Sequence, residues 1–424
     1  MLQSILAFVV VFGIIVFIHE TGHFLFAKKF GVLVREFAIG FGPKIFQTHR
    51  DETTYTVRAL PLGGYVMLAG DEEEEDLRPG MFVHLDLNEQ EKVRKIYLSS
   101  EYTHSKGLPF EVEQFDLVDD LVITGHIPNS DRLESYQVDE KALIVREDGT
   151  MIQIAPRERQ VTSAPVWQRM LINLAGPLFN FLLSIVVFTI FAFAQGGIPS
   201  SEPILGKFEP DSPVAQSDFQ PGDQIESVGG KSVSSWTEMV IEIQKHPGEA
   251  VQLVGKRADG ETITDTVTPE KAEDKNGKVY GRIGVHVHME TDLGSKLKFG
   301  FVRTVEVIRM VVQSLRRIVT GSLGMDQLGG PLAIFATTGE VARLGGVIGI
   351  ISFIGFLSAN IGLMNLLPIP GLDGGKLFLN LIEAVRGKPI SQEKETMITM
   401  IGVVLLLALM LFVTWQDLTR YFFK

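Results

Sequence analysis

Leu2-Gln-Ser-Ile-Leu-Ala-Phe-Val-Val-Val-Phe-Gly-Ile-Ile-Val-Phe-Ile18 runs without a charge into His19-Glu20-Thr21-Gly22-His23. An apolar run of that length matches a membrane helix, which needs roughly 20 residues to cross the hydrocarbon core. On a helix, residues i and i+4 share a face, so His19 and His23 can grip one zinc ion while Glu20 lies beside the open coordination position. Soluble enzymes with this pentad hold it in water, because hydrolysis consumes water. Here three titratable groups sit at the end of a greasy span, where such groups are costly and mark function.

Composition agrees with a membrane chain. The 424 residues are 45% hydrophobic and carry a formal net charge of −12, which argues against a nucleic-acid partner that would need a basic surface. The chain has no cysteine. Disulfides are therefore excluded, and a zinc site must draw on His and carboxylate ligands.

Four spans follow from hydropathy: Met1 to about Ala27, a second within Met170–Ser201, a third within Leu344–Leu372, and Met397–Trp415 with its interfacial Trp. No basic residue precedes the first span and no small-residue cleavage site follows it, so it is not read as a removable signal peptide. Lys28, Lys29, Arg35, Lys44 and Arg50 follow span one, Arg157, Arg159 and Arg169 precede span two, and Arg386, Lys388 and Lys394 separate spans three and four. The positive-inside rule makes these regions cytoplasmic and both termini external. His19, His23 and Asp373 then fall near the cytoplasmic ends of their spans, where they can meet.

Between the spans lie soluble-looking segments. Residues 28–70 hold short β-branched and aromatic runs split by Gly and Pro, read as strands and tight turns that could offer an edge to an extended peptide. Asp71–Asp76 is an acidic run, read as a solvated loop. Residues 71–165 include a β-rich insert in which His84, His104 and His126 lack ligand spacing. Residues 203–290 carry Ser212-Pro-Val-Ala215, Gln220-Pro-Gly-Asp-Gln-Ile225 and Val228-Gly-Gly230, a pattern resembling a PDZ domain. Leu297–Thr320 places apolar residues at helical spacing among Lys and Arg, as in a basic amphipathic helix on a membrane face.

Two histidines leave a catalytic zinc site one protein ligand short. Asp373, in Asn365-Leu-Leu-Pro-Ile-Pro-Gly-Leu-Asp-Gly374, is the best remaining candidate: it is the first charge after a long apolar run, and Pro368 and Pro370 break the helix before it.

With these residues assembled, the chain resembles the site-two protease family of intramembrane zinc metalloproteases, specifically its bacterial regulator-of-sigma type. The likeness spans nearly the whole chain. It rests on HETGH, Gly40-Phe-Gly-Pro43, Pro61-Leu-Gly-Gly-Tyr-Val66, Gly176-Pro-Leu-Phe-Asn180, a single PDZ-like module and Asn365…Leu372-Asp-Gly374. It implies a multi-pass α-helical fold of four transmembrane helices with a membrane-reentrant β element at about Val34–Val66, a cytoplasmic insert and one external PDZ-like domain. It implies one Zn2+ held by His19, His23 and Asp373, with Glu20 as catalytic base. Asn360, Asn365, Gly176, Asn180, Gly63 and Gly64 are the candidate substrate-binding residues.

The implied setting is a bacterial plasma membrane, with single-span membrane proteins as substrates and an upstream site-1-type protease acting on the same substrate. Anti-sigma factors and signal-peptide remnants are the expected classes. Relatives with two tandem PDZ modules differ here, as does the insert after Met81. Two other readings compete. A membrane-anchored PDZ scaffold predicts no bound metal, and a transporter predicts repeated halves that the spans do not show.

Overall fold

The computed structural model describes residues 2–71, 77–99, 107–128, 130, 132–147, 149–274, 277–324 and 329–422, the side chains of residues 61, 62, 392, 421 and 422 excepted. Residues 72–76 of the acidic run and His104 lie outside this set. Seven α-helices order the described chain: α1 (Leu2–Lys29), α2 (Val166–Ala194), α3 (Trp236–Gln244), α4 (Leu293–Val319), α5 (Pro331–Asn365), α6 (Asp373–Arg386) and α7 (Gln392–Phe422). Four of them, α1, α2, α5 and α7, are long and apolar enough to cross a membrane. At 1.5 Å per residue the 28 residues of α1 reach about 42 Å. Their outward side chains are apolar: Leu405, Leu411 and Phe412 on α7 are all exposed. A helix closes its own backbone hydrogen bonds, so such a surface suits lipid and would be a liability in water.

The chain divides into two units, Met1–Val187 with Thr304–Lys424, and Phe188–Arg303. In the first, α5 consists of two arms joined at Gly346, whose φ of 53° and ψ of −146° no helix permits. Gln3 donates to the Ala342 carbonyl (3.4 Å) and the Phe8 and Phe335 rings lie 5.5 Å apart, so the first arm runs opposite to α1. Ile354 and Leu357 of the second arm share a core with Val11 and Ile15 of α1. The third span, expected within Leu344–Leu372 and as one element running on to about residue 380, is therefore corrected. An arm from Pro331 precedes it, the helix stops at Asn365, and a separate α6 starts at Asp373. Pro368 and Pro370 account for the break, since neither can donate to a helical ladder.

The first arm of α5 begins against a buried carboxylate. Asp417 of α7 is wholly inaccessible, and its Oδ2 accepts from the backbone N–H groups of Gly330 and Ala333, each at 3.0 Å. These are among the amides a helix start leaves without intrahelical partners, and their partial positive charge favours an anion.

After α1 come two long, bent strands, β1 (Val34–Arg50) and β2 (Thr53–Leu68). Their register is unlike a simple hairpin. Glu36–Ile39 pairs on one side with Gly64–Met67 and on the other with Thr54–Val57, which in turn pairs with Phe46–His49. Two strands thus make four sheet segments, with Gly64–Leu68 on an outer edge. The bends fall where Gly40 and Gly42 hold φ of 88° and 83°, conformations that favour glycine. Glu36, Arg58 and Tyr65 stitch neighbouring segments: Tyr65 donates to Glu36 Oε2 and Arg58 to the Tyr65 hydroxyl, both at 2.8 Å. Phe41, Ile45, Phe46 and Leu60 remain exposed at the far end of this sheet.

The insert is a closed barrel. Strands β3 (Phe82–Leu87), β4 (Val93–Tyr97), β5 (Leu108–Asp116), β6 (Val122–His126), β7 (Leu133–Val145) and β8 (Met151–Gln153) pair in the order β4-β3-β5-β6-β7-β8, and a parallel β4–β7 pairing completes the ring. Leu85, Ile96, Phe110 and Ile123 fill it. His126 sits on its surface beside Glu113 (3.2 Å). The barrel is tied to the bent sheet by Lys44 donating to Thr150 (2.7 Å) and by the paired Arg159–Glu52 contacts (2.7 Å each).

The second unit contains a four-stranded sheet of Lys231–Ser232, Gln224–Val228, Val251–Lys256 and Thr262–Val267, with α3 packed through Met239 and Ile243. Ser235 caps α3 by accepting from the Glu238 amide (3.2 Å), while Glu238 accepts from the Ser234 amide (2.8 Å). Gly222, at φ 105°, makes the turn into Gln224–Val228.

Candidate metal centre and cleft

Helical spacing puts His19 and His23 on one face of α1, and the proline break lets the chain return beside them. Leu366–Leu372 folds tightly back, with Ile369 donating to the Leu367 carbonyl (2.7 Å), so that Asp373 opens α6. A side chain on Gly374 or Gly375 would overlap the Leu366, Leu367 or Ile369 backbone. The result is a convergence of three donor atoms. His19 Nε2 and His23 Nε2 lie 3.3 Å apart, and Asp373 Oδ2 lies 3.2 Å from the first and 3.4 Å from the second.

Those spacings fit a metal ion. Ligand bonds of about 2.0–2.1 Å at tetrahedral angles place donors about 3.3 Å apart. The chemistry fits as well. His23 Nδ1 lies 2.8 Å from the Ile172 carbonyl, which can only accept, so the ring proton sits on Nδ1 and Nε2 keeps a bare lone pair. Asp373 Oδ2 is buried without a hydrogen-bond partner. The lone pairs of His23 Nε2 and Asp373 Oδ2, facing one another at 3.4 Å, need a cation between them. Among the described residues, His19, His23 and Asp373 form the only such His/Cys/Asp/Glu group.

Close helix packing makes the convergence possible. At Gly22 a Cβ would stand 2.5 Å from the Ala175 carbonyl oxygen, so α1 and α2 meet backbone to backbone. A Cβ on Gly176 would overlap His23 Nε2 and stand 2.8 Å from His19 Cε1.

A cleft of about 660 Å3 opens from this point, walled by Phe8, Phe12 and Ile334 at one end and by Asp71 and Lys376 at the other. Glu20, only 8% exposed, faces it. So do Gly63, Gly64 and Asn365, three of the residues expected at a substrate site. A Cβ on Gly64 would stand 3.0 Å from Glu20 Cγ, which brings the outer sheet edge against the acid.

The other three candidates, Gly176, Asn180 and Asn360, are not among the residues lining this cleft. Asn180 is wholly buried and reaches His19 Nδ1 at 3.1 Å. Gly176 lies against the two rings. Asn360 donates back to the Phe356 carbonyl of its own helix (2.8 Å).

Sequence reasoning passed over Lys376, whose Nζ meets Asp71 Oδ2 at 2.7 Å. That ion pair stands between the cleft and a second cavity of about 390 Å3 lined by Arg169, Asn173 and Asn380. Its one sequence signal was position: Lys376 follows Asp373 by one helical turn.

Against known proteins, the profile of peptidase family M50 matches residues 7–409. The regulator of sigma-W protease RasP of Bacillus subtilis is 42% identical over 422 residues, covering 99% of each chain. The zinc metalloprotease RasP of Geobacillus kaustophilus is 43% identical over 99% of each, and the probable protease eep of Enterococcus faecalis 42% identical over the full length of both. Among solved structures, the PDZ domain of an SdrC-like protein from Listeria monocytogenes is similar at 21% identity and a TM-score of 0.18, covering 21% of this chain and 90% of that one. The chain belongs to peptidase family M50: it is a zinc metalloprotease of a bacterial membrane.

Proposed function

We propose that this M50 peptidase cleaves the membrane-spanning segments of single-span proteins, with His19, His23 and Asp373 as the zinc ligands and Glu20 as the base. The observation that carries the reading is the tetrahedral spacing of three converging ligand atoms beside a buried glutamate, inside a cleft between apolar helices. Zinc held by His19, His23 and Asp373 would supply Lewis acidity for the scissile carbonyl and for a water whose pKa would fall to about 7. Glu20 takes the proton of the attacking water and passes it to the leaving amine. Its burial keeps bulk solvent from competing for that proton.

A helix in lipid cannot be cut while its amides are locked, and each backbone group left bare in hydrocarbon costs several kcal/mol. The outer segment Gly64–Leu68 is the natural recipient of an unwound substrate. It lines the cleft and pairs on one side with Val34–Ile39, leaving the other for an added strand. Asn365 would take a substrate carbonyl or amide from the opposite wall. The exposed Phe41, Ile45 and Phe46 support a sheet that dips into the bilayer.

Lys28 and Lys29 close α1, and His19 stands nine residues, about 14 Å, before Lys28, which supports a site toward the cytoplasmic side with both termini external. The name of the Bacillus subtilis relative supports an anti-sigma factor as the substrate class. The segment 203–290 is then an external PDZ-like filter that delays cleavage until another protease has shortened the substrate.

The test is capture. Glu20→Gln should retain zinc, lose all turnover and hold a single-span substrate that mass spectrometry identifies. Turnover at the wild-type rate by that variant would remove Glu20 from the chemistry.

A further inference from the structure

An amide buried in a membrane helix is costly unless it has a partner, and Asn180 of α2 has one partner of consequence. The end of its side chain lies 3.1 Å from His19 Nδ1, the ring nitrogen turned away from Asp373. Its Nδ2 faces the ring, and its Oδ1 is buried with no hydrogen-bond partner. The backbone carbonyl of Asn180 accepts separately from Ser358 Oγ of α5 at 2.8 Å, both residues being wholly buried. The side chain is therefore not what joins α2 to α5.

The orientation of this amide selects the tautomer of His19. With Nδ2 toward the ring, Nδ1 must accept, which puts the ring proton on Nε2, aimed at His23 and Asp373. With Oδ1 toward the ring, Nδ1 carries the proton and donates it, and Nε2 is a free lone pair. A half-turn of the amide exchanges the two ends with almost no change in shape. The neighbouring ligand shows which state a metal needs: His23 Nδ1 is held by the Ile172 carbonyl, an atom that can only accept.

We propose that Asn180 is a positioning residue. In the zinc-loaded enzyme its Oδ1 accepts from His19 Nδ1–H and fixes the ring with Nε2 toward the ion, as the Ile172 carbonyl does for His23. The proposal rests on His19 being a zinc ligand. It moves Asn180 from the substrate to the metal, and it explains why an amide is tolerated where lipid-facing helices pack. Partners of this kind, behind a metal-bound histidine, are worth about 10–100-fold in metal affinity.

The experiment measures zinc affinity of the full-length, detergent-purified chain by competition with a chelator, in wild type and in Asn180→Leu, Asn180→Asp and His19→Ala. Asn180→Leu keeps the shape and the Ser358 contact but cannot accept, and should bind zinc about 10–100-fold more weakly. Asn180→Asp keeps an acceptor and should stay within about threefold of wild type, a rescue that loss of packing would not produce. His19→Ala should lose zinc.

Wild-type affinity in Asn180→Leu beside a zinc-free His19→Ala would overturn the proposal alone. Wild-type affinity in His19→Ala would overturn the ligand reading and the proposal with it. Asn180→Asp decides if Asn180→Leu does not fold: affinity about tenfold or more below wild type, with the acceptor present, would refute the role.

Discussion

Gly176→Ala is the smallest change that should empty the metal site. The added methyl carbon would stand 2.7 Å from His23 Cε1 and 2.8 Å from His19 Cε1, and would overlap His23 Nε2. Ordinary contact begins at about 3.4 Å, so the His19 ring must retreat by roughly 0.6 Å and the His23 ring by more than about 0.7 Å, or α2 must withdraw from α1. Withdrawal would give up the backbone-to-backbone packing of Gly22 against Ala175. Metal sites tolerate ligand displacements of about 0.2 Å, so the shift exceeds the tolerance at least about threefold. Overpacking of this size costs about 1–3 kcal/mol of stability, which a membrane protein of this size survives. Zinc content and chelator competition on the purified variant, with circular dichroism as a control for folding, make the assay. A folded Gly176→Ala with less than one-tenth of the wild-type affinity is expected. If Gly176 instead touches substrate, the variant would bind zinc as wild type does and show only a raised KM, and that result would refute the packing argument.

Three further outcomes follow. Asp417→Ala removes the acceptor of two buried amides at the start of α5 and should lower stability by about 2 kcal/mol, read as a fall in Tm, with zinc content unchanged. In the second unit, Lys231 and Lys245 hold the Glu242 carboxyl down at about 2, against an ordinary 4.5. The stabilisation is full above pH 4.5 and is lost as pH falls toward 2, so Glu242→Gln should lower Tm at pH 7, where both ion pairs are intact, and flatten the pH dependence of Tm in that window. Cysteines placed at Lys388 and Lys231 in this cysteine-free chain should react with impermeant thiol reagents from opposite sides of the membrane. Labelling of both from outside intact cells would reverse the orientation argument.

Much of the site was legible because its signals are local. HETGH on an apolar run fixes two donors by helical period alone, and a lone carboxylate after Pro-Ile-Pro supplies a third without any knowledge of packing. The long-range features were not legible. That Glu36–Ile39 pairs on both sides depends on where two strands bend, and glycines mark a bend without saying what it pairs with. The barrel closes through a β4–β7 pairing that no turn motif announces. Asn180 lies 161 positions from the histidine it faces, so spacing carried no hint of its partner. Gly346 interrupts a run that carries no charge from Leu344 to Leu372, and hydropathy does not register a break that leaves hydropathy unchanged.

The central claim is that two imidazoles and one carboxylate hold zinc while Glu20 stands outside the metal's shell. X-ray absorption at the zinc edge, on purified wild type, Glu20→Gln and Asp373→Ala, tests it most directly. About one zinc per chain is expected in the first two, with a four-coordinate nitrogen and oxygen shell at about 2.0–2.1 Å and an imidazole scattering pattern from two rings. Asp373→Ala should lose the metal. An unchanged zinc shell in Asp373→Ala, or an altered one in Glu20→Gln, would contradict it.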